Sequence, residues 1–272
     1  MRNFTKFINK TISAAIAAAI ATAALVSVPI SSYAANSHTE TTPYNWYFKK
    51  NSEHKTPPLP SEFSFIKSHG GYFIDDNAKN SDKVIYLTFD AGYENGNVEK
   101  VLRALDKHGA KGAFFILDNL IIRNKELVQS MIYGGHTVAN HTAKHPDMSA
   151  ITDKNLFNKQ LTKLETVYFD TFGAKISPYY RPPQGRFSEQ NLKYAEELGY
   201  KTIFWSYAYA DWDNNKQPSP AKAIEQIMCH THNGMVILLH PTSATNAEIM
   251  DELLTKWESQ GYRFGTLDEL TK

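Results

Sequence analysis

From Val84 onward the chain alternates short apolar runs with stretches of helical period, and this alternation restricts the fold more than any other feature. Strand-length runs fall at 84–89, 113–117, 137–140, 179–181, 202–206, 235–239 and 262–264. Between them, Val98, Val101, Leu102 and Leu105 recur at i, i+3, i+4, i+7, the spacing of one helix face. Ser188 is placed to cap a helix that ends before Gly199, and Ser219-Pro220 offers an N-cap followed by proline at the first helical position. Ile249, Leu253, Leu254 and Trp257 line one face of a last long helix that stops at Gly261. Seven strands alternating with helices predict a parallel α/β architecture. Periodicity alone fits either a barrel or an open doubly wound sheet.

Upstream of this pattern the chain reads differently. Arg2, Lys6 and Lys10 precede an Ala-rich apolar run from about Ile12 to Ile30, and Ser32-Tyr33-Ala34-Ala35 follows with small residues at −3 and −1 of a cut after Ala34. This predicts a secretory signal peptide over 1–34 and a domain exported across the cytoplasmic membrane. The other reading is an uncleaved anchor, since the run approaches the ~20 apolar residues a span needs. Residues 35–82 carry Pro43, Pro57, Pro58, Pro60 and Gly70-Gly71, and predict an extended segment wrapping the domain, pinned by Trp46, Tyr47 and Phe48. The catalytic unit is then 83–272. With 29 Lys and Arg against 28 Asp and Glu, three of the basic residues in the leader, no basic face is advertised and nucleic acid is a poor partner. Cys229 is the only cysteine, so the domain must be held by its core, which its size allows. A monomer is expected.

The polar residues just past the predicted strand ends are Asp90, His141, Arg181, Asp211 (after a short loop) and His240. Ligand sites of α/β barrels and open sheets lie at that edge. His141 and His145 form an i, i+4 pair able to bind Zn²⁺ or a similar ion, though they lack the Glu of the H-E-x-x-H protease motif. Two satisfied surface histidines would have the same spacing. Asp90 could act as a base towards water, or simply cap a turn. In Arg181-Pro-Pro-Gln-Gly185 the first free backbone donor is on Gln184, where an N–H could stabilise an oxyanion, and Arg181 could hold a carboxylate. His240, before Pro241, could donate a proton near neutral pH or be a core histidine. Trp212 could wall a sugar groove. His108, His136 and the Cys229-His230-Thr231-His232 cluster read as structural.

Thr88-Phe89-Asp90, His141-x-x-x-His145-Pro146, Arg181-Pro-Pro-x-Gly185, Asp211-Trp212 and Leu238-Leu239-His240, in this order over about residues 83–265, resemble the polysaccharide deacetylases that share the NodB-homology domain. Leu87–Gly96 (Leu-Thr-Phe-Asp-Ala-Gly-Tyr-Glu-Asn-Gly) and Asn45-Trp-Tyr-Phe48 resemble the branch that deacetylates peptide-free N-acetylmuramic acid of spore cortex, a step to muramic δ-lactam. The resemblance implies a distorted (β/α)₇ barrel and a divalent ion, Zn²⁺ or else Co²⁺ or Mn²⁺, on His141 and His145. It implies Asp90 as general base oriented by Arg181, and His240 as general acid tuned by Asp211. It places the Gln184 N–H at the oxyanion, Trp212 and Leu238 around the acetyl methyl, and Tyr93 among the substrate contacts. Its partner is the peptidoglycan glycan strand, and its place is the cell wall or the forespore intermembrane space.

One position departs from the family pattern. Most members carry a second aspartate after the base as a third metal ligand, and here it is Ala91. That puts the metal's affinity and identity in question. Two other readings stay open: the same fold acting on chitin oligomers or acetylated xylan, and a glycan-binding module that no longer turns over.

Overall fold

The computed structural model describes residues 40–272, and the expected leader at 1–34 lies outside them. In chain order the elements are β1 (Tyr44–Asn45), a 3₁₀ helix (Ser61–His69), β2 (Gly71–Tyr72), β3 (Lys83–Ala91), α1 (Val98–Lys107) and β4 (Gly112–Ile116). They continue with α2 (Asp118–Arg123), α3 (Lys125–Tyr133), β5 (Thr137–Asn140), α4 (Lys154–Phe172), β6 (Tyr179–Tyr180), β7 (Arg186–Phe187) and α5 (Glu189–Glu197). The last group is β8 (Lys201–Ile203), β9 (Tyr207–Ala208), α6 (Pro220–His230), β10 (Met235–Leu239), α7 (Ala244–Ser259), β11 (Tyr262–Phe264) and α8 (Leu267–Leu270). Among the described residues no helix is long and apolar enough to cross a membrane.

All seven predicted strand runs are present, and they share one parallel sheet in the order β2-β8-β6-β5-β4-β3-β10-β9, with β11 beside the start of β3. The run expected as one strand at 202–206 is shorter: β8 ends at Ile203 and pairs with β6, Phe204–Ser206 belong to no strand, and β9, just beyond the expected run, pairs with β10. One stretch of chain therefore leaves one end of the strand series and joins the other. This curls the sheet into a distorted (β/α)₇ barrel and decides between the two architectures that periodicity allowed.

The strand period of two sorts side chains between two cores. Ile85, Leu87, Phe89 and Ala91 of β3 face the helix layer, with Val98, Val101 and Leu105 of α1 and Leu253, Leu254 and Trp257 of α7. Val84 and Tyr86 face the other way, with Phe115, Ala139, Tyr179, Val236 and Leu238, into the barrel. Helix ends follow the chemistry of their sequences. Ser188 and Asn191 form a reciprocal capping box on α5, and Ser219 caps α6 with Pro220 behind it.

The segment before β3 is not extended throughout, as the sequence suggested. Ser61–His69 is a 3₁₀ helix whose Phe63 and Ile66, three residues apart, fall on one side of a three-residue turn and are both buried. β2 then adds a parallel strand to β8. Of the three aromatic residues expected to pin the segment, Trp46 is the anchor. Its indole N–H donates to the Trp205 carbonyl at 2.9 Å and its ring stacks on Phe204 at 4.4 Å. Tyr47 remains exposed and Phe48 is partly buried.

Candidate active site

Four of the five strand-end residues picked out above lie two positions beyond a side chain that points into the barrel. Asp90 follows Tyr86 and Thr88, His141 follows Ala139, Arg181 follows Tyr179, and His240 follows Leu238. Parity thus brings all four side chains to the mouth of the barrel at the carboxyl edge of the sheet.

Arg181 is completely buried, and each part of its guanidinium is used. Nη1 donates to Asp90 Oδ1 at 2.9 Å, Nη2 to Thr88 Oγ1 at 2.8 Å and to the Phe204 carbonyl at 3.3 Å, and Nε to the Ile203 carbonyl at 2.9 Å. The cation lies over the ring of Phe115, 4.2 Å from its centroid. Asp90 is thereby fixed with Oδ1 on Arg181 and Oδ2 3.5 Å from His141 Nε2. Burial works to raise the Asp90 pKa, but the charges of His141, Arg181 and His240 outweigh it and hold the carboxyl below its ordinary range. A carboxylate held in this way stays ionised and aimed, as a base must be.

His141 and His145 are brought together with ring centroids 5.0 Å apart. The loop between them is shaped by left-handed residues, Thr142 at φ 72° and His145 at φ 56°. Asn140 Oδ1 accepts from the Thr142 N–H at 2.8 Å, and Thr142 Oγ1 accepts from the His145 N–H at 3.0 Å. Such non-glycine conformations persist only where the surroundings dictate them. Burial pushes the His141 pKa down to about 4 and lowers that of His145. Both rings are therefore neutral at pH 7, the form in which imidazole binds metal. His141 Nδ1 is committed to the Arg181 carbonyl at 2.8 Å, which leaves Nε2 with its lone pair outward, as a ligating histidine requires. The pair fits a divalent ion with several positions left to water or substrate. No group of three or more His, Cys, Asp and Glu gathers as a ready cage among the described residues. Ala91 is buried in the apolar layer below the helices.

His240 sits at the end of β10. Its Nδ1 donates to Asp211 Oδ1 at 2.7 Å, and its backbone N–H donates to Asp211 Oδ2 at 2.8 Å. Burial tends to lower the His240 pKa. The Asp211 charge and hydrogen bond, with Asp90 adding to them, outweigh it and raise the pKa above the usual 6.5. One edge thus holds a carboxyl whose pKa is held down and an imidazole whose pKa is held up, two titratable groups pushed apart by their environments.

The remaining predicted contacts are looser. Gln184 is exposed and adopts a left-handed φ of 59°, and its N–H has no hydrogen-bond partner among the described residues. The turn is held by Gly185 at φ 65°, where a Cβ would meet the Trp205 ring at 2.7 Å. Trp212 is 63% exposed, edge-on to His240 at 6.5 Å, while Leu238 is buried beneath. Tyr93 is half exposed, and its hydroxyl accepts from Asn214 Nδ2 at 2.6 Å, so the loops carrying Tyr93 and Trp212 touch. The histidines read as structural have partners away from this edge. His108 bridges Asp251 and Glu258, His136 accepts from the Gly112 N–H, and His232 pairs with Ser206. Sequence reasoning passed over Thr88, Asn140 and Asn246. Asn140 could have been found, because it directly precedes His141 at a strand end. Asn246 carries no such signal.

The polysaccharide deacetylase family model matches residues 77–203. The peptidoglycan-N-acetylmuramic acid deacetylase PdaA of Bacillus subtilis is 37% identical over 229 residues, 84% of this chain and 86% of that protein. The chain belongs to the polysaccharide deacetylase family. The solved structure of PdaA, a family 4 carbohydrate esterase, superposes with a TM-score of 0.79 at 35% identity, covering 85% of this chain and 97% of that one. A family 4 carbohydrate esterase from Bacillus anthracis superposes at 0.68 with 32% identity, covering 85% and 96%.

Proposed function

We propose that this chain is an exported peptidoglycan deacetylase that hydrolyses the acetamido group of N-acetylmuramic acid in glycan strands, on the way to the muramic δ-lactam of spore cortex. The observation that carries the reading is the pairing of Arg181-held Asp90 with Asp211-held His240 across one barrel mouth. A binding module has no need of a carboxylate and an imidazole each held by a dedicated partner with their pKa values pushed apart. Similarity to PdaA over most of both chains supports this substrate.

In this reading Asp90 takes the proton from the attacking water while Arg181 keeps its carboxylate from turning. The Gln184 N–H faces the developing oxyanion, and His240 Nε2 protonates the departing amine. Leu238 and Trp212 enclose the acetyl methyl, and Tyr93 contributes to the wall of the glycan groove. His141 Nε2 and His145 would hold a divalent ion, most simply Zn²⁺, with Co²⁺ or Mn²⁺ as alternatives. When bound, it would supply Lewis-acid polarisation of the acetyl carbonyl. The lactam would form when the freed amine attacks the neighbouring lactyl carboxyl with loss of water, a step this reading does not assign to the chain itself. Export rests on the leader sequence, and the site of action would be the cell wall or the forespore intermembrane space.

The test is acetate release from glycan strands with peptide-free muramic acid, from strands with intact stem peptides, and from chitin oligomers. The bare muramic strand should be preferred, because a stem peptide on the lactyl group crowds the adjacent acetamido group. Equal rates on bare and peptide-bearing strands would reject the muramic reading while leaving deacetylation standing. Preference for chitin oligomers would move the substrate class.

A further inference from the structure

The polar machinery behind His240 does not end at Asp211. Asn246, in the first turn of α7, is fully buried. Its Nδ2 donates to Asp211 Oδ2 at 2.6 Å and to the His240 carbonyl at 3.0 Å. On the other side, the hydroxyl of buried Tyr209 donates to Asn246 Oδ1. The partners dictate which way the amide faces. A carboxylate and a carbonyl only accept, so the NH₂ must point at them, and the amide oxygen is left for the Tyr209 O–H. Ser243 Oγ, the cap of α7, accepts from the Asn246 N–H at 3.1 Å and places the residue from below.

Asp211 consequently receives three donors: the His240 N–H, the His240 Nδ1–H and Asn246 Nδ2. With all three in place the carboxylate has no freedom to rotate. Without Asn246, Oδ2 would keep only a backbone N–H, and a buried carboxylate short of a donor seeks another arrangement. The proton of a neutral imidazole sits on whichever nitrogen has the better partner. A loosened Asp211 would therefore loosen the His240 tautomer as well. The other charged or titratable groups acting on His240 are Asp90 on β3, Arg181 after β6 and His145 after β5.

We propose that Asn246 is a positioning residue for His240 and that Tyr209 anchors its amide oxygen, so that the chain Tyr209–Asn246–Asp211–His240 keeps Nδ1–H inward and Nε2 towards substrate. The catalytic part of this inference rests on the reading of His240 as the acid that protonates the leaving amine. The tautomer part does not.

The test compares wild type with N246L, which keeps a similar volume without polar atoms, and with Y209F. Ring ¹⁵N shifts of His240, read above its titration, report the tautomer. Wild type should show the Nδ1–H form, N246L should populate the Nε2–H form, and Y209F should move the same way by less. On bare muramic strands, N246L should lose roughly 10–100-fold in kcat with KM within about threefold, because an acid is misaligned and no binding contact is removed. An N246L protein that folds with an unchanged His240 tautomer and kcat overturns the proposal. If N246L does not fold, Y209F decides in the same way: an unchanged tautomer and kcat overturn the chain. If wild type releases acetate from no glycan, the acid reading of His240 fails, while the ¹⁵N shifts still judge the positioning.

Discussion

Replacing Arg181 by lysine tests the fold and the site together. The guanidinium makes four hydrogen bonds, to Asp90, Thr88 and the carbonyls of Ile203 and Phe204, from a position with no solvent exposure. A lysine ammonium has three donors at a single point and cannot span partners that surround a planar fork. Some of these acceptors must be left bare, and Asp90 becomes a poorly paired buried carboxylate. Breaking a buried pair from one side costs about 3–5 kcal/mol. For a domain of this size each kcal/mol lowers Tm by about 2–4 °C, so R181K should melt about 6–20 °C below wild type in a thermal scan followed by circular dichroism. The Asp90 pKa also moves. In wild type it is depressed, and the stabilisation it brings is present above the ordinary carboxylate range and lost as pH falls through the folded pKa. Lysine keeps a positive charge but loses the aimed hydrogen bond, so less opposes burial and the Asp90 pKa rises from its wild-type position. The stability gap between the two proteins should therefore narrow in acid, and the acid limb of the pH–rate profile should move to higher pH. An R181K protein within about 1 kcal/mol of wild type, with the acid limb unmoved, would refute the reasoning.

Three further outcomes are expected. Asp90→Asn should abolish acetate release in a protein that still folds, because the amide has nearly the same shape but no basicity, and should lower the thermal transition, because it leaves the buried Arg181 without its counter-charge; residual turnover above a few per cent would reassign the base. Asp211→Asn removes the charge that raises the His240 pKa, so burial wins and the pKa falls. In this reading activity needs His240 protonated and is lost as pH rises through its pKa, so the alkaline limb should shift to lower pH; an unmoved limb would remove Asp211 from the mechanism. Dialysis against a chelator should suppress acetate release and Zn²⁺, Co²⁺ or Mn²⁺ should restore it, with calorimetry showing weak, exchangeable binding, since only His141 and His145 offer nitrogen ligands here; full activity in protein shown metal-free by elemental analysis would exclude the metal reading.

Much of the site could be anticipated because strand parity is a local property. Once Tyr86 and Leu238 are inward, Asp90 and His240 must reach the mouth, and no long-range knowledge is needed. Histidine spacing likewise marked His141 and His145. The supporting shell was less legible. Thr88, Asn140, Asn246 and Tyr209 are ordinary polar residues whose roles depend on what lies across the barrel. Gln184 showed its place in the Pro-Pro turn, but its left-handed backbone is imposed by packing around Gly185, Trp205 and Trp46.

By itself, the sequence determined the alternation of strands and helices from Val84 onward, the helix caps at Ser188 and Ser219, and the list of side chains delivered to one edge. These depend on residues within a few positions of one another. Only the tertiary structure decided that β8 and β9, three residues apart in the chain, lie on opposite sides of the curled sheet, that Arg181 takes Asp90 across 91 positions of chain, and that Asp211 and Asn246 converge on His240 across 29 and 6. The physical reason is that a hydrogen bond between distant residues requires the barrel to close first. Burial then strips away competing water and leaves each polar group only the partners that packing has placed beside it.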